Sequence, residues 1–146
     1  MPEFDALKAL ILALITPPQQ QPMWAVEEFP DKPDQYRLSH PNGAILIQYG
    51  HSTYGQSEAM DVSVQQRTEF FLLTLVGRQQ HGEVLGVVNM VQRLVCGLAG
   101  KCCGDCEAIV IRKDYFVSEN AGVWQHAIDL SMVTTLVGAP VEFDVE

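Results

Sequence analysis

Two stretches limit the folds open to this chain more than any other feature. They are VQQRTEFFLLTLVGR, from Val64 to Arg78, and GVWQHAIDLSMVTTLV, from Gly122 to Val137. In the second, Trp124, His126, Ile128, Leu130 and Met132 alternate with Gln125, Ala127, Asp129 and Ser131. That period of two marks a strand with one face turned inward. In the first, the adjacent apolar pairs Phe70-Phe71 and Leu72-Leu73 predict a strand covered on both faces. At about 3.3 Å per residue, each strand would run roughly 50 Å. Such lengths are unusual in a chain of 146 residues, so parts of both are expected to project beyond the core and find partners on another chain.

The remaining elements fall around these two. Phe4, Leu7, Leu10, Ile11 and Leu14 recur at helical spacing, and Pro17-Pro18 ends that helix. Leu12 and Ile15 widen its apolar stripe until little polar face remains, so it is expected to be sandwiched in the core or covered by another subunit. A short strand is predicted over Met23–Phe29, then a turn-rich loop ending in Asn42-Gly43, then a strand over Ala44–Tyr54. A second helix spans Gly82–Leu98, with Val84, Val87, Val88, Val91, Val95 and Leu98 on one stripe and Gly97 or Gly100 to close it. A strand over Glu107–Val117 precedes the SENAG turn. The order α-β-β-β-α-β-β predicts one α+β domain over residues 1–146. Its twisted antiparallel or mixed sheet has about five strands, with both helices packed on one face.

Charge and hydropathy narrow the function classes. The hydrophobic content of 47% supplies a real core, and the formal net charge of −9 argues against a surface that grips phosphates. The densest basic feature is Arg112-Lys113. An acidic chain can still sit beside DNA whose passage it must not impede. The apolar stretch ALKALILALIT is too short for a membrane span and carries Lys8, and the acidic start MPEFD does not suit a signal peptide. Folding in a reducing compartment is therefore expected, with the cysteines as thiols unless a metal takes them.

Three of the four cysteines, Cys102, Cys103 and Cys106, crowd the stretch GKCCGDCEA, and Cys96 lies just upstream. Four thiols are numerically enough for a tetrahedral zinc site. However, Cys96 falls on the apolar side of a helix, and adjacent Cys102 and Cys103 do not easily share one ion. A redox CxxC opens a helix after a strand, whereas this one follows a helix and opens a strand. The stretch is expected to be a helix-to-strand connection, with no metal and no cofactor assigned. His40, His51, His81 and His126 are scattered; His126 is expected to be a packed or interface residue and His81 to serve a turn. GHSTYG is not a nucleophile elbow. Glu27, Glu28, Asp31 and Asp34 form an acidic cluster without an accompanying nucleophile, which favours a solvated surface over acid–base work. No catalytic set emerges, and an assembly subunit is expected rather than an enzyme.

Four segments together carry a family resemblance: FDALKALILALI, QQRTEFFLLTLVGR, HGEVLGVVNMVQRLVCGL and YFVSENAGVWQHAIDLSMVTTLV. The chain resembles the tail terminator proteins of contractile-tailed, Mu-like phages, whose fold is similar to that of the lambda tail terminator. In that family an arginine-bearing strand runs into a helix, and a G-x-W turn, here Gly122 and Trp124, leads into a long final strand. His126 stands where the family often has an aromatic, and the family has no need of cysteines after its second helix. The resemblance implies a homo-oligomeric, hexameric ring that caps the tail tube, ends tube polymerisation and offers a docking surface to the neck. The tail tube protein is the implied partner, with sheath and neck or connector proteins as further candidates. DNA would pass through the lumen without specific binding, and the protein would belong to the virion at the tail–neck junction. Contacts are then expected from Leu7, Leu10, Ile11 and Leu14 in the core or against a neighbour, and from Tyr54, Met60 and Val62 at a projecting connection. Acidic surface is expected from Glu27, Glu28, Asp31 and Asp34. Another neck or tail-completion ring protein, and a small cysteine-based metal-binding module, are the competing readings.

Overall fold

A computed structural model describes residues 2–56, 64–82, 85–104 and 106–138. The order of elements is α1 (Pro2–Ile15), β1 (Ala25–Glu28), β2 (Gly43–Tyr54), β3 (Val64–Gly77), α2 (Val87–Leu98), β4 (Val110–Asn120) and β5 (Val123–Val137), with one 3-10 turn at Pro33–Gln35. The strands form a five-stranded mixed sheet in the order β1-β2-β3-β5-β4. The α+β class and the element order expected from sequence are those observed.

The two long strands answer each other. β3 and β5 pair antiparallel from Val64↔Val137 to Gly77↔Trp124, so along this length each satisfies the backbone groups that the other turns toward it. The two strands thus match each other in length within the chain. β2 pairs antiparallel with β3 on the other side. β3 and β4 both run antiparallel to β5, so they share a direction, and α2 carries the chain from one to the other past the strand that lies between them. β4 turns into β5 through Ala121 (φ 53°) and Gly122 (φ 81°), the left-handed pair that a tight hairpin of this twist requires. β1 departs from the antiparallel rule. It pairs parallel with β2, because the long connection from Phe29 to Asn42 brings the chain back to start β2 beside the start of β1.

Both helices pack on one face. There Leu7, Ile11 and Ile15 of α1 meet Met90, Leu94 and Leu98 of α2 over Ile45, Ile47, Phe71, Leu73, Ile128 and Leu130 of the sheet. Leu7, Ile11 and Ile15 are each fully buried, worth about 1.5–3 kcal/mol apiece. α1 and α2 touch closely because Gly97 carries no side chain: a Cβ there would lie 2.5 Å from a Leu14 methyl. α2 starts at Val87, later than the expected Gly82. Its first backbone donors go back to the preceding turn, Val87 N–H to Gln79 O and Val88 N–H to Gln80 O.

The opposite face is only partly covered. The connection after β1 lays Phe29, Tyr36 and Leu38 over Ala44, Leu46 and Val76, and the Arg78 guanidinium holds it by donating to Leu38 O at 2.9 Å and His40 O at 3.2 Å. That cover stops short of Phe70 and Leu72, which are only half-buried. The two-sided burial expected of this strand therefore holds at its Gly77 end and fails in the middle, where no second layer of helices exists among the described residues. No helix among the described residues is long and apolar enough to cross a membrane.

Candidate assembly surfaces

β4 closes one edge of the sheet. It pairs with β5 and with no other strand among the described residues. Its side chains are nearly all exposed, including Phe116 at 56%, Val117 at 46% and Val110 at 45%. Two register shifts, at Ile111/Lys113 and Phe116/Ser118, bend this edge and re-aim its side chains, as bulges do. On the helix side, the Phe116 and Trp124 rings lie 6.2 Å apart. His126 Nε2 is 2.9 Å from Asp114 Oδ1 beside them, and exposed Val88 of α2 completes an apolar groove with Gln80 and Gln125.

A second apolar depression lies on the bare sheet face, lined by His51, Phe70, Leu72, Arg112, Tyr115 and Asp129. A register shift between Tyr49 and His51 brings the His51 ring parallel to Phe70 at 4.4 Å. The Arg112 guanidinium sits 5.8 Å from the same phenyl centroid, fixed by donating to Ser131 Oγ at 2.8 Å. Lys113 lies 5.0 Å from the Tyr115 ring centroid and 3.8 Å from Asp129. The one basic pair of the sequence thus stands on the β4 edge, among aromatics.

The acidic cluster stands on the other edge. Glu28, Asp31 and Asp34 are exposed and Glu27 is half-buried. Glu28 and Asp31 line a groove with Phe4, Asp5, Phe29 and Tyr49. Glu27 also acts on its neighbour: burial first, and then this carboxylate, push the Tyr36 hydroxyl above its ordinary pKa. Of the other expected contact residues, Leu7 and Ile11 lie fully inside this chain's own core, and Leu10 and Leu14 pack half-buried against it. Tyr54 is exposed, with the Arg67 guanidinium 5.9 Å from its ring. Met60 and Val62 lie outside the described residues.

The four cysteines separate into two kinds. Cys96 and Cys102 are exposed, while Cys103 and Cys106 are buried, and all are thiols. Cys96 Sγ accepts from the Gln92 amide at 3.2 Å, away from the others on α2. Backbone bonds close the GKCCGDCEA loop on itself, Gly100 N–H to Ile109 O at 3.0 Å and Ile109 N–H to Lys101 O at 2.7 Å. Gly100 adopts the φ of +80° that this reversal needs. Extended backbone sends neighbouring side chains to opposite sides, so Cys102 faces out and Cys103 in. Burial raises the Cys103 thiol to about 11, helped by Cys106 and Glu3, so it is a protonated thiol at neutral pH.

Sequence reasoning passed over Glu69 and Glu3. Glu69 is fully buried on β3. Desolvation and then Glu3 push its carboxyl above the ordinary range, against a smaller opposing pull from Arg67. The available signal was a lone carboxylate inside RTEFFLL, a run otherwise destined for the core.

A family model described as Gp37 protein matches residues 17–142 of the chain. No curated protein matches it.

Proposed function

Since this chain belongs to the Gp37 protein family and is thereby a phage protein, we propose that it is a structural component of the virion, the tail terminator. In this role it forms a ring on the last ring of the tail tube, ends polymerisation and presents a surface to the neck. It acts by assembly and not as an enzyme.

The observation that carries this reading is the contrast between the sheet's two edges. One edge, β4, exposes Val110, Phe116 and Val117 beside Arg112 and Lys113, while the other bears Glu28, Asp31 and Asp34. An exposed sheet edge is a template for another chain, and β4 offers its apolar side chains there among charged ones. Unlike edges suit a head-to-tail contact, and such a contact closes into a ring when the rotation between copies divides the circle. The charges give the contact its direction, and the apolar side chains give it affinity. The net charge of −9 suits a channel through which DNA slides without adhering.

The test is a phage carrying a deletion of this gene. Particles are expected with tails of uncontrolled length and without heads attached, and immunogold on complete particles is expected to label the head-proximal end of the tube. Normal tail length in the deletion would overturn the reading. Label elsewhere in the neck or tail would transfer the protein to another completion ring.

A further inference from the structure

A buried carboxylate with no hydrogen bond needs an explanation, and Glu69 is one. Its side chain is 0% exposed, and among the described residues neither Oε1 nor Oε2 has a hydrogen-bond partner. Among the described residues the cation beside it is Arg67, whose Nε stands 3.4 Å from Oε1. That Nε directs its hydrogen bond instead to Ser52 Oγ at 3.2 Å. Two other groups converge on the same place from distant parts of the chain. Glu3 comes from the first turn of α1 and Cys106 from the loop before β4. One ligand atom each of Glu3, Glu69 and Cys106 lie within 4.8 Å of one another. The buried Cys103 thiol reaches the same end of α1, with Sγ 3.9 Å from the Glu3 carbonyl oxygen.

From this convergence we propose a structural zinc site, in which Glu3, Glu69 and Cys106 ligate the ion and Cys103 supplies the fourth position. Donor chemistry selects the metal. Thiolate sulfur disfavours magnesium and calcium, which take oxygen ligands, and a mixed sulfur and carboxylate set suits zinc. Bond lengths of about 2.0–2.3 Å place tetrahedral ligand atoms roughly 3.3–3.8 Å apart, so modest shifts of Glu3, Glu69 and Cys106 close these three on an ion. Cys103 and Cys106 have the two-residue spacing of a zinc knuckle. The Cys106 N–H to Cys103 O bond at 3.2 Å already forms the turn between them.

Charge supplies the driving force. A fully buried carboxylate and a half-buried one held close together repel each other, and one partly committed arginine does not offset both. A dication does. On binding, each thiol gives its proton to solvent and its sulfur lone pair to the metal. A carboxyl that is protonated does the same, and nothing is oxidised. The ion would pin the first turn of α1 to the middle of β3 and to the cysteine loop, adding to the contact that the Cys103 thiol makes with the Glu3 carbonyl oxygen. The site stands independently of the ring reading.

The experiment uses the full chain, purified without chelator or metal resin. Elemental analysis is expected to give about one zinc per chain, falling below about a tenth in Glu69→Gln and in Cys106→Ser and unchanged in the Cys96→Ser, Cys102→Ser double variant. Titrating cobalt(II) into metal-stripped wild type and into the double variant is expected to give a thiolate-to-cobalt charge-transfer band saturating near one equivalent. That second reading assigns the inner thiols even where core variants fail to fold. Wild type without zinc and without the cobalt band overturns the proposal. So does zinc retained in both folded core variants, or a band lost in the Cys96→Ser, Cys102→Ser protein.

Discussion

At the scale of single residues, the largest buried side chain explains two glycines. Trp24 is fully buried and lies over Gly43 and Gly77, which face each other across β2 and β3. A Cβ added to Gly77 would stand 2.5 Å from a Val87 methyl and 2.7 Å from the Trp24 ring, and one on Gly43 would stand 2.6 Å from Val76 O. The glycines are there for space, since neither has a positive φ. Gly77→Ala must push the indole and the start of α2 outward, and the Trp24 Nε1 hydrogen bond to Leu85 O at 3.3 Å goes with them. We expect a loss of about 1–3 kcal/mol, read as a lower midpoint in urea at unchanged m-value. A midpoint equal to wild type would show that the indole has room to yield. This pairing was illegible in the sequence, where Gly43 counted only as half of an Asn-Gly turn. Glu69 was hidden in a similar way: the four residues after it in the chain are apolar, but its partners come from residues 3 and 106.

Elements were the most legible level, for a physical reason. Strand periodicity and proline stops act locally, so Ala44–Tyr54, Val64–Arg78 and the last strand are recovered within a residue or two of their observed bounds. Pairing acts at a distance. Parallel β1 depends on how the chain from Phe29 to Asn42 folds back, and the exposed character of β4 depends on β5 inserting beside β3. The sequence IVIRKDYFV has the apolar content of an interior strand, yet it forms an edge. That mismatch yields a prediction for the proposed ring. Val110→Lys with Val117→Lys places two charges on exposed positions, which should alter stability by no more than about 0.5 kcal/mol each. The pair should nevertheless block assembly, because lysines guard a sheet edge against a new strand. The double variant is expected to melt within a few degrees of wild type and to fail to restore tail length to particles lacking the protein. Full complementation would remove β4 from the interface.

For the whole molecule, two electrostatic effects compete when copies meet. Contacts between the β4 edge and the acidic edge attract, but exposed ion pairs are worth about 0–1 kcal/mol each. Against them, every copy carries a formal charge of −9, and a ring brings those charges together around one axis. Salt screens both. Raising sodium chloride from about 0.02 M to about 0.3 M shortens the Debye length from roughly 20 Å to roughly 6 Å. The repulsion is summed over many charges at long range, so it loses more than a few close pairs do. Apolar burial at Val110, Phe116 and Val117 is not screened at all. Self-association should therefore strengthen with salt, seen as a rising weight-average sedimentation coefficient at fixed protein concentration, and the Val110→Lys, Val117→Lys variant should not show the rise. A coefficient that falls as salt is added would mean that ion pairs hold the copies together. Arg112 and Lys113 of β4, and not its apolar side chains, would then carry the contact with the acidic edge of the next copy.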